Sequence, residues 1–234
     1  MSADPFDIKI CGLKTREAAE HAVGRGATHI GFIFFPKSPR NVTPMEARAV
    51  ADAVRGRAKI VAVTVDASEA QLDAIMEGLR PDMIQLHGGE SPAHVQAVKA
   101  RYGLPVIKAL SIRDAADLEA ALAYQRIADR LLFDAKPPKG SELPGGNGVS
   151  FDWRLLDALD DGVDYMLSGG LDAANVGRAI SATHVRAIDA SSGLEIAPGV
   201  KDAGRIDAFF DAVASALKAR AVAPHPRQIL NQGA

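Results

Sequence analysis

Eight short apolar runs, each about the length of a buried strand, alternate with Ala-rich segments of helical spacing along most of this 234-residue chain. The runs are Ile8–Cys11, His29–Phe34, Ile60–Val65, Met83–Leu86, Val106–Ala109, Arg130–Phe133, Asp164–Leu167 and Val185–Ile188. The helical segments are Thr15–Arg25, Pro44–Val54, Glu69–Leu79, Pro92–Tyr102, Ala115–Ala123, Trp153–Leu159, Asp172–Ile180 and Asp202–Ala219. Continuous apolar strands are buried on both faces, and parallel neighbours need helical crossovers, so the alternation argues for a parallel sheet clothed in helices. Eight repeats suggest closure into a single α/β domain, a (β/α)8 TIM barrel with a parallel eight-stranded sheet. An open doubly wound sheet is the alternative, weakened because no Gly-x-Gly-x-x-Gly follows the first strand.

No Pro/Gly-rich linker divides the chain. The stretch KPPKGSELPGGNG, Lys136–Gly148, falls inside the sixth repeat and reads as a mobile loop. Residues 1–219 are thus expected to form the barrel, and residues 220–234, RAVAPHPRQILNQGA, a flexible tail. Apolar residues make up 47% and charged residues 24%, as in ordinary globular proteins, and no run approaches the roughly 18 apolar residues of a membrane span. Basic and acidic residues nearly balance at 27 to 29, without long blocks of either sign, so neither nucleic acid nor a membrane is an expected partner. The opening MSADPFD carries two acidic residues and no hydrophobic stretch, which points to the cytoplasm. A single cysteine, with no Cys-x-x-Cys or His-Glu-x-x-His, argues against disulfides, structural zinc and dithiol redox chemistry.

Barrels carry their chemistry at the C-terminal ends of the strands. Cys11 ends the first run, Arg40 lies in FFPKSPR after the second, Asp66 follows the third, His87 the fourth, and Asp134 the sixth. SGGLDAANVGRAI, Ser168–Ile180, follows the seventh and DASSGLE, Asp189–Glu195, the eighth. Both are small-residue turns that let backbone N–H groups approach an anion, ahead of segments whose helical N-termini favour negative charge. Plainer readings stand beside each. Cys11 could be a small buried hydrophobe, Asp134 a turn residue paired with Lys136 or Lys139, Arg40 a solvated charge, and His87 a hydrogen-bonded structural residue. Asp66 reads best as a turn or cap.

With these residues in view, the sequence resembles the phosphoribosylanthranilate isomerase family of tryptophan biosynthesis. The motifs are KICGLKTREAA, GFIFFPKSPRNVTP, IQLHGGE, LLFDAKPPKGSELPGGNGVSFDW, LSGGLDAANVGRAI and IDASSGLEIAPGVKD, together and in order up to about Leu217. Asn147 stands where the family often has Thr. The resemblance implies a (β/α)8 barrel with Cys11 as general base, Asp134 as general acid and Arg40 on the anthranilate carboxylate. Gly169, Gly170, Ser191 and Ser192 would hold the substrate's phosphate, with Ser168 and Gly193 as further substrate-binding residues and Lys9 and His87 as possible auxiliaries.

The implied reaction is an Amadori rearrangement of N-(5-phosphoribosyl)anthranilate to 1-(2-carboxyphenylamino)-1-deoxyribulose 5-phosphate. The substrate's own amine supplies the electrons, so no cofactor or metal is required. Asp134 must be protonated when it acts, and Cys11 must ionise, which a nearby cation would favour. Lys9 could be that cation if the strand's pleat is regular, since alternate side chains then share a face. An indole-glycerol-phosphate synthase would need a catalytic lysine and glutamate at strand ends, and no convincing pair is visible. A non-catalytic phosphosugar-binding barrel is the reading from another class, opposed by the presence of both Cys11 and Asp134. Monomer and homodimer both remain open.

Overall fold

The computed structural model describes residues 6–135, 145, 150–160, 162–183 and 185–222. Strands β1 (Asp7–Cys11), β2 (His29–Phe34), β3 (Lys59–Thr64), β4 (Met83–Leu86), β5 (Val106–Ile112), β6 (Arg130–Ala135), β7 (Tyr165–Leu167) and β8 (Ala187–Ala190) pair in chain order. All pairings are parallel, and β8 returns to β1 through Lys9↔Asp189 and Ile10↔Ala190, closing the barrel. Helices α1 (Arg16–Arg25), α2 (Pro44–Ala51), α3 (Glu69–Leu79), α4 (Pro92–Tyr102) and α5 (Ala115–Ala121) follow the first five strands, α6 (Val176–Ala182) follows β7, and α7 (Ala203–Val222) ends the fold. Local chemistry fixes several starts: Thr43 with Glu46 and Ser68 with Gln71 form reciprocal capping boxes, and Pro44 and Pro92 occupy first-turn positions.

Closure gives the sheet two apolar surfaces. Ile8 and Ile10 of β1 face outward into the layer between strands and helices, where Ile30, Ile84, Phe133 and Phe209 are fully buried. Cys11 faces inward with Val61, Val63, Ile107, Ala109, Leu132, Met166 and Ala187. The pleat of β1 is therefore regular, and Lys9 shares the inner face with Cys11.

Two expectations change, and one element was not expected. Trp153–Ala158 forms a 3-10 helix, not the expected α-helix over Trp153–Leu159, with Asp152 capping the Arg154 N–H. A short antiparallel hairpin, β9 (Glu195–Ala197) and β10 (Val200–Lys201), intervenes between β8 and α7. The last helix also runs past the expected boundary at Ala219: Arg220 donates from Nη1 to the Val185 carbonyl at 2.8 Å and lies 6.0 Å from the Phe6 ring centroid. Residues 223–234, and 136–148 apart from Gly145, where a mobile loop was expected, lie outside the described residues.

Lys108 of β5, between inward Ile107 and Ala109, lies on the outer side. Its Nζ donates to Glu90 Oε2 at 2.7 Å and to the Gly88 carbonyl at 2.8 Å. Glu90 in turn accepts from the N–H groups of Gly88 and Asp66 at 2.9 and 3.0 Å, so this buried pair clamps the turn that carries His87. Asp66, at φ 47°, accepts from the Gly89 N–H at 2.8 Å, the turn role read from its position. Lys108→Met would leave Glu90 buried without its cation and should cost about 3–5 kcal/mol in urea unfolding. Adding Glu90→Gln should recover part of that loss, whereas an equal or larger loss would argue against a compensated pair.

Candidate active site

A pocket of about 630 Å³, counting space at its open mouth, lies at the C-terminal ends of the strands. Cys11 of β1, Asp134 of β6, His87 after β4 and Arg40 after β2 line it, as do Ser168, Gly169 and Gly170 after β7 and Ser191 and Ser192 after β8. Ile33, Phe35, Val63, Val65 and Leu171 give it an apolar wall. Two sequence candidates stand apart. Lys9 lies one inward position below Cys11. Gly193 lets the two turns meet, since a Cβ there would come 2.2 Å from the Leu171 carbonyl oxygen.

Cys11 is buried over Gly31, its register partner on β2. A Cβ at Gly31 would lie 2.9 Å from Cys11 Sγ and 3.2 Å from Lys9 Nζ, so both groups need this glycine's empty side. Lys9 is fully buried and donates to Asp189 Oδ1 at 2.9 Å, across the β1–β8 seam. Burial alone would lower the Lys9 pKa, but the Asp189 carboxylate and Cys11 outweigh it and the value is raised. The thiol departs from expectation: burial pushes Cys11 up, although Lys9 and Lys201 pull the other way. The nearby cations moderate the cost of ionising the thiol without overcoming desolvation.

Asp134 is buried, and its Oδ1 accepts from the Ala135 N–H at 2.9 Å. Its Oδ2 lies 3.4 Å from His87 Nε2, an ion-pair distance rather than a hydrogen bond. Gln85 meets His87 Nδ1 at 3.1 Å and orients the ring. Gly145 covers this pair: a Cβ there would fall 2.5 Å from Asp134 Oδ2. Arg40 is 4% exposed and held side-on by Glu195, Nε to Oε1 and Nη2 to Oε2, both at 2.8 Å. The turn after β7 carries φ of 96° at Gly169 and 60° at Gly170, and a Cβ on Gly169 would strike the Ala135 nitrogen at 2.8 Å. Such turns bring backbone N–H groups to where an anion can be held.

Residues 8–212 match the family model for N-(5'phosphoribosyl)anthranilate (PRA) isomerase. A relative from Sinorhizobium fredii, named N-(5'-phosphoribosyl)anthranilate isomerase, is 66% identical over 219 residues, covering 94% of this chain and 96% of its own. The chain belongs to the PRA isomerase family. The PRA isomerase of Thermotoga maritima has a crystal structure that superposes with a TM-score of 0.81 at 33% identity, covering 90% of this chain and 99% of that one. Another PRA isomerase structure, bound to reduced 1-(o-carboxyphenylamino)-1-deoxyribulose 5-phosphate, has a TM-score of 0.78 at 31% identity, covering 90% and 99%.

Within this PRA isomerase barrel, sequence reasoning passed over three buried charges: Asp189, Glu195 and Lys201. Asp189 lines the pocket itself. Lys201 Nζ donates to Glu195 Oε1 at 2.6 Å and to the Ser191 carbonyl at 3.1 Å. Burial would raise the Glu195 carboxyl, but Arg40 and Lys201 hold it below the usual range, while burial lowers the Lys201 ammonium against the pull of Glu195. Asp189 and Glu195 stood within the quoted DASSGLE, and an acid in an otherwise small-residue stretch was the available signal. Among the described residues no group of His, Cys, Asp and Glu is arranged to hold a metal, and no helix is long and apolar enough to cross a membrane.

Because Gly31 makes room for Cys11, Gly31→Ala should lower kcat/KM by roughly 10- to 100-fold through displacement of the thiol. Steady-state kinetics beside circular dichroism checks this; normal turnover by a folded variant would show that the thiol's position is not critical.

Proposed function

We propose that Cys11 and Asp134 convert N-(5-phosphoribosyl)anthranilate to 1-(2-carboxyphenylamino)-1-deoxyribulose 5-phosphate, as base and acid respectively. What carries this reading is their placement in one pocket, Cys11 from β1 and Asp134 from β6, which an arginine and two small-residue turns also line. Arg40 takes the anthranilate carboxylate, since a guanidinium fork matches a planar pair of oxygens. The Gly169–Gly170 and Ser191–Ser192 turns take the phosphate, to which converging N–H groups are suited. The apolar wall accommodates the aromatic ring.

With the substrate's ends held, Asp134 gives its proton to the furanose ring oxygen. The C1′–O4′ bond breaks as the amine lone pair forms a C1′=N bond. The Cys11 thiolate then removes the C2′ proton, and those electrons form C1′=C2′ while the nitrogen regains its lone pair. The resulting enolamine is protonated at C1′ and loses its O–H proton to become the ketone. His87 lies against the acid through Asp134 Oδ2, and Lys9 steadies the thiolate from below. The amine provides the electron push, so the reaction needs neither a cofactor nor a metal, and the enzyme is expected to act in the cytoplasm. A decarboxylating ring closure is less well served: Lys108–Glu90 and Lys201–Glu195 each pair internally, and none of the four lines the pocket.

Cys11→Ser should lower turnover about 100-fold or more while retaining the fold, because a hydroxyl is a far weaker base. Loss of anthranilate-derived fluorescence measures it, and unchanged turnover would remove Cys11 from the mechanism.

The pH dependence separates acid from base. The base must be ionised, and burial holds its thiol above the ordinary value, so catalysis through Cys11 gains from rising pH into the alkaline range. The acid must be protonated, so catalysis through Asp134 loses with rising pH. Requiring both gives a bell whose apparent pKa values belong to the pair. Asp134→Asn removes the acid: its small residual rate should climb with pH through the thiol's elevated pKa and then level off, without the alkaline decline. A retained alkaline decline, or near-normal kcat, would sink the general-acid assignment.

A further inference from the structure

We infer that Glu195 is a positioning residue for substrate recognition, fixing which edge of Arg40 is offered to the pocket, with Lys201 as its anchor. The inference rests on the reading of Arg40 as the carboxylate site. Glu195 grips the Nε–Nη2 edge of the guanidinium with both oxygens at 2.8 Å, and the side chains of both residues are about 5% exposed. Among the described residues Nη1 makes no hydrogen bond, so the Nη1–Nη2 edge is the one left for a ligand. That edge accepts a second carboxylate in the plane of the first, which favours a flat benzoate-like group over a tetrahedral anion.

Glu195 is itself immobilised from three sides. Lys201 Nζ reaches Oε1 at 2.6 Å, the Gly199 N–H reaches Oε2 at 3.1 Å, and Arg205 Nη1 donates to the Glu195 carbonyl at 2.7 Å. The β9–β10 hairpin that carries Glu195, Gly199 and Lys201 docks on the arginine's own loop, and Arg205 reaches it from α7. Gly199 has φ 81°, and a Cβ there would meet the Pro39 carbonyl oxygen at 2.6 Å. From the opposite side Gly12 leaves space for the arginine stem, since its Cβ would fall 2.5 Å from Arg40 Cδ. The hairpin therefore serves as the frame in which one arginine edge is presented.

The test compares kcat and KM for Arg40→Ala, Glu195→Gln and the double variant, with inhibition by ribose 5-phosphate as a probe of the phosphate end alone. Arg40→Ala should raise KM about 10-fold or more, and Glu195→Gln nearly as much with kcat within about threefold. The double variant should be no worse than Arg40→Ala, because on this inference the effect of Glu195 on substrate binding runs through that arginine and not through the Lys201–Ser191 contact. Ribose 5-phosphate should inhibit the wild type and Glu195→Gln alike. Lys201→Gln, which loosens the frame but leaves the Arg40–Glu195 pair, should raise KM by a smaller factor of about three and covers the case in which Glu195→Gln does not fold. An unchanged KM in Arg40→Ala overturns the carboxylate reading and this inference with it. A raised KM in Arg40→Ala with a normal one in Glu195→Gln and Lys201→Gln overturns this inference alone. So does a double variant worse than Arg40→Ala, or weakened ribose 5-phosphate inhibition in Glu195→Gln.

Discussion

Closure of the sheet between β1 and β8 is the constraint from which the site follows. A closed barrel has an inside that only every second residue of a strand can reach, and there is room for few side chains. Most inward positions are apolar, as Val61, Ile107, Leu132 and Met166 are. Lys9 and Asp189 break that rule together, meeting at the seam where the strands pair. Each charge would be prohibitive alone, and each is tolerated because the other lies 2.9 Å away. Their pairing keeps a cation under Cys11, and the glycine at position 31 gives both room. Cys11 is thus seated by three strands at once.

The chemistry at the rim uses a different kind of support. Asp134 sits at the end of β6, Arg40 and the two small-residue turns lie in loops, and both Asp134 and Arg40 meet a side chain from another repeat. His87 is oriented by Gln85 and stands on a turn clamped by Lys108 and Glu90. Arg40 is held by the hairpin after β8. Ser191 joins the last turn to the first strand through its hydrogen bond to the Cys11 carbonyl at 3.0 Å. Loops placed in this way present functional groups with a precision they would lack alone.

The strands were legible because parallel strands buried on both faces read as unbroken apolar runs. Seven of the eight runs lie in or overlap their strand closely, while the run beginning at Val185 starts two residues before β8. The segment at Trp153 has helical spacing but only six residues of 3-10 geometry, a length too short for periodicity to decide. The hairpin escaped notice because β9 has three residues and β10 two. That Cys11 and Asp134 stand at strand ends facing the pocket was visible from position. Asp189 and Glu195 were not, because what makes a buried acid meaningful is its partner, and Lys9 and Arg40 lie 180 and 155 residues away along the chain. Whether Cys11 would be ionised was equally beyond local reading, since burial by distant strands competes with two lysines from opposite ends of the chain.

The span between Lys9 and Asp189 has a temporal meaning. Chains are synthesised from the N-terminus at roughly 5–20 residues per second, and local βα units can form as they emerge. Lys9 and Cys11 emerge ahead of the other seven barrel strands, yet the carboxylate that steadies Lys9 arrives 180 residues later. Until then the first strand has an open edge and an unmatched inward charge. Neither favours premature packing. The nascent chain therefore carries its one cysteine in an unfinished setting until β8 has emerged, and the thiol is enclosed only when that last barrel strand docks.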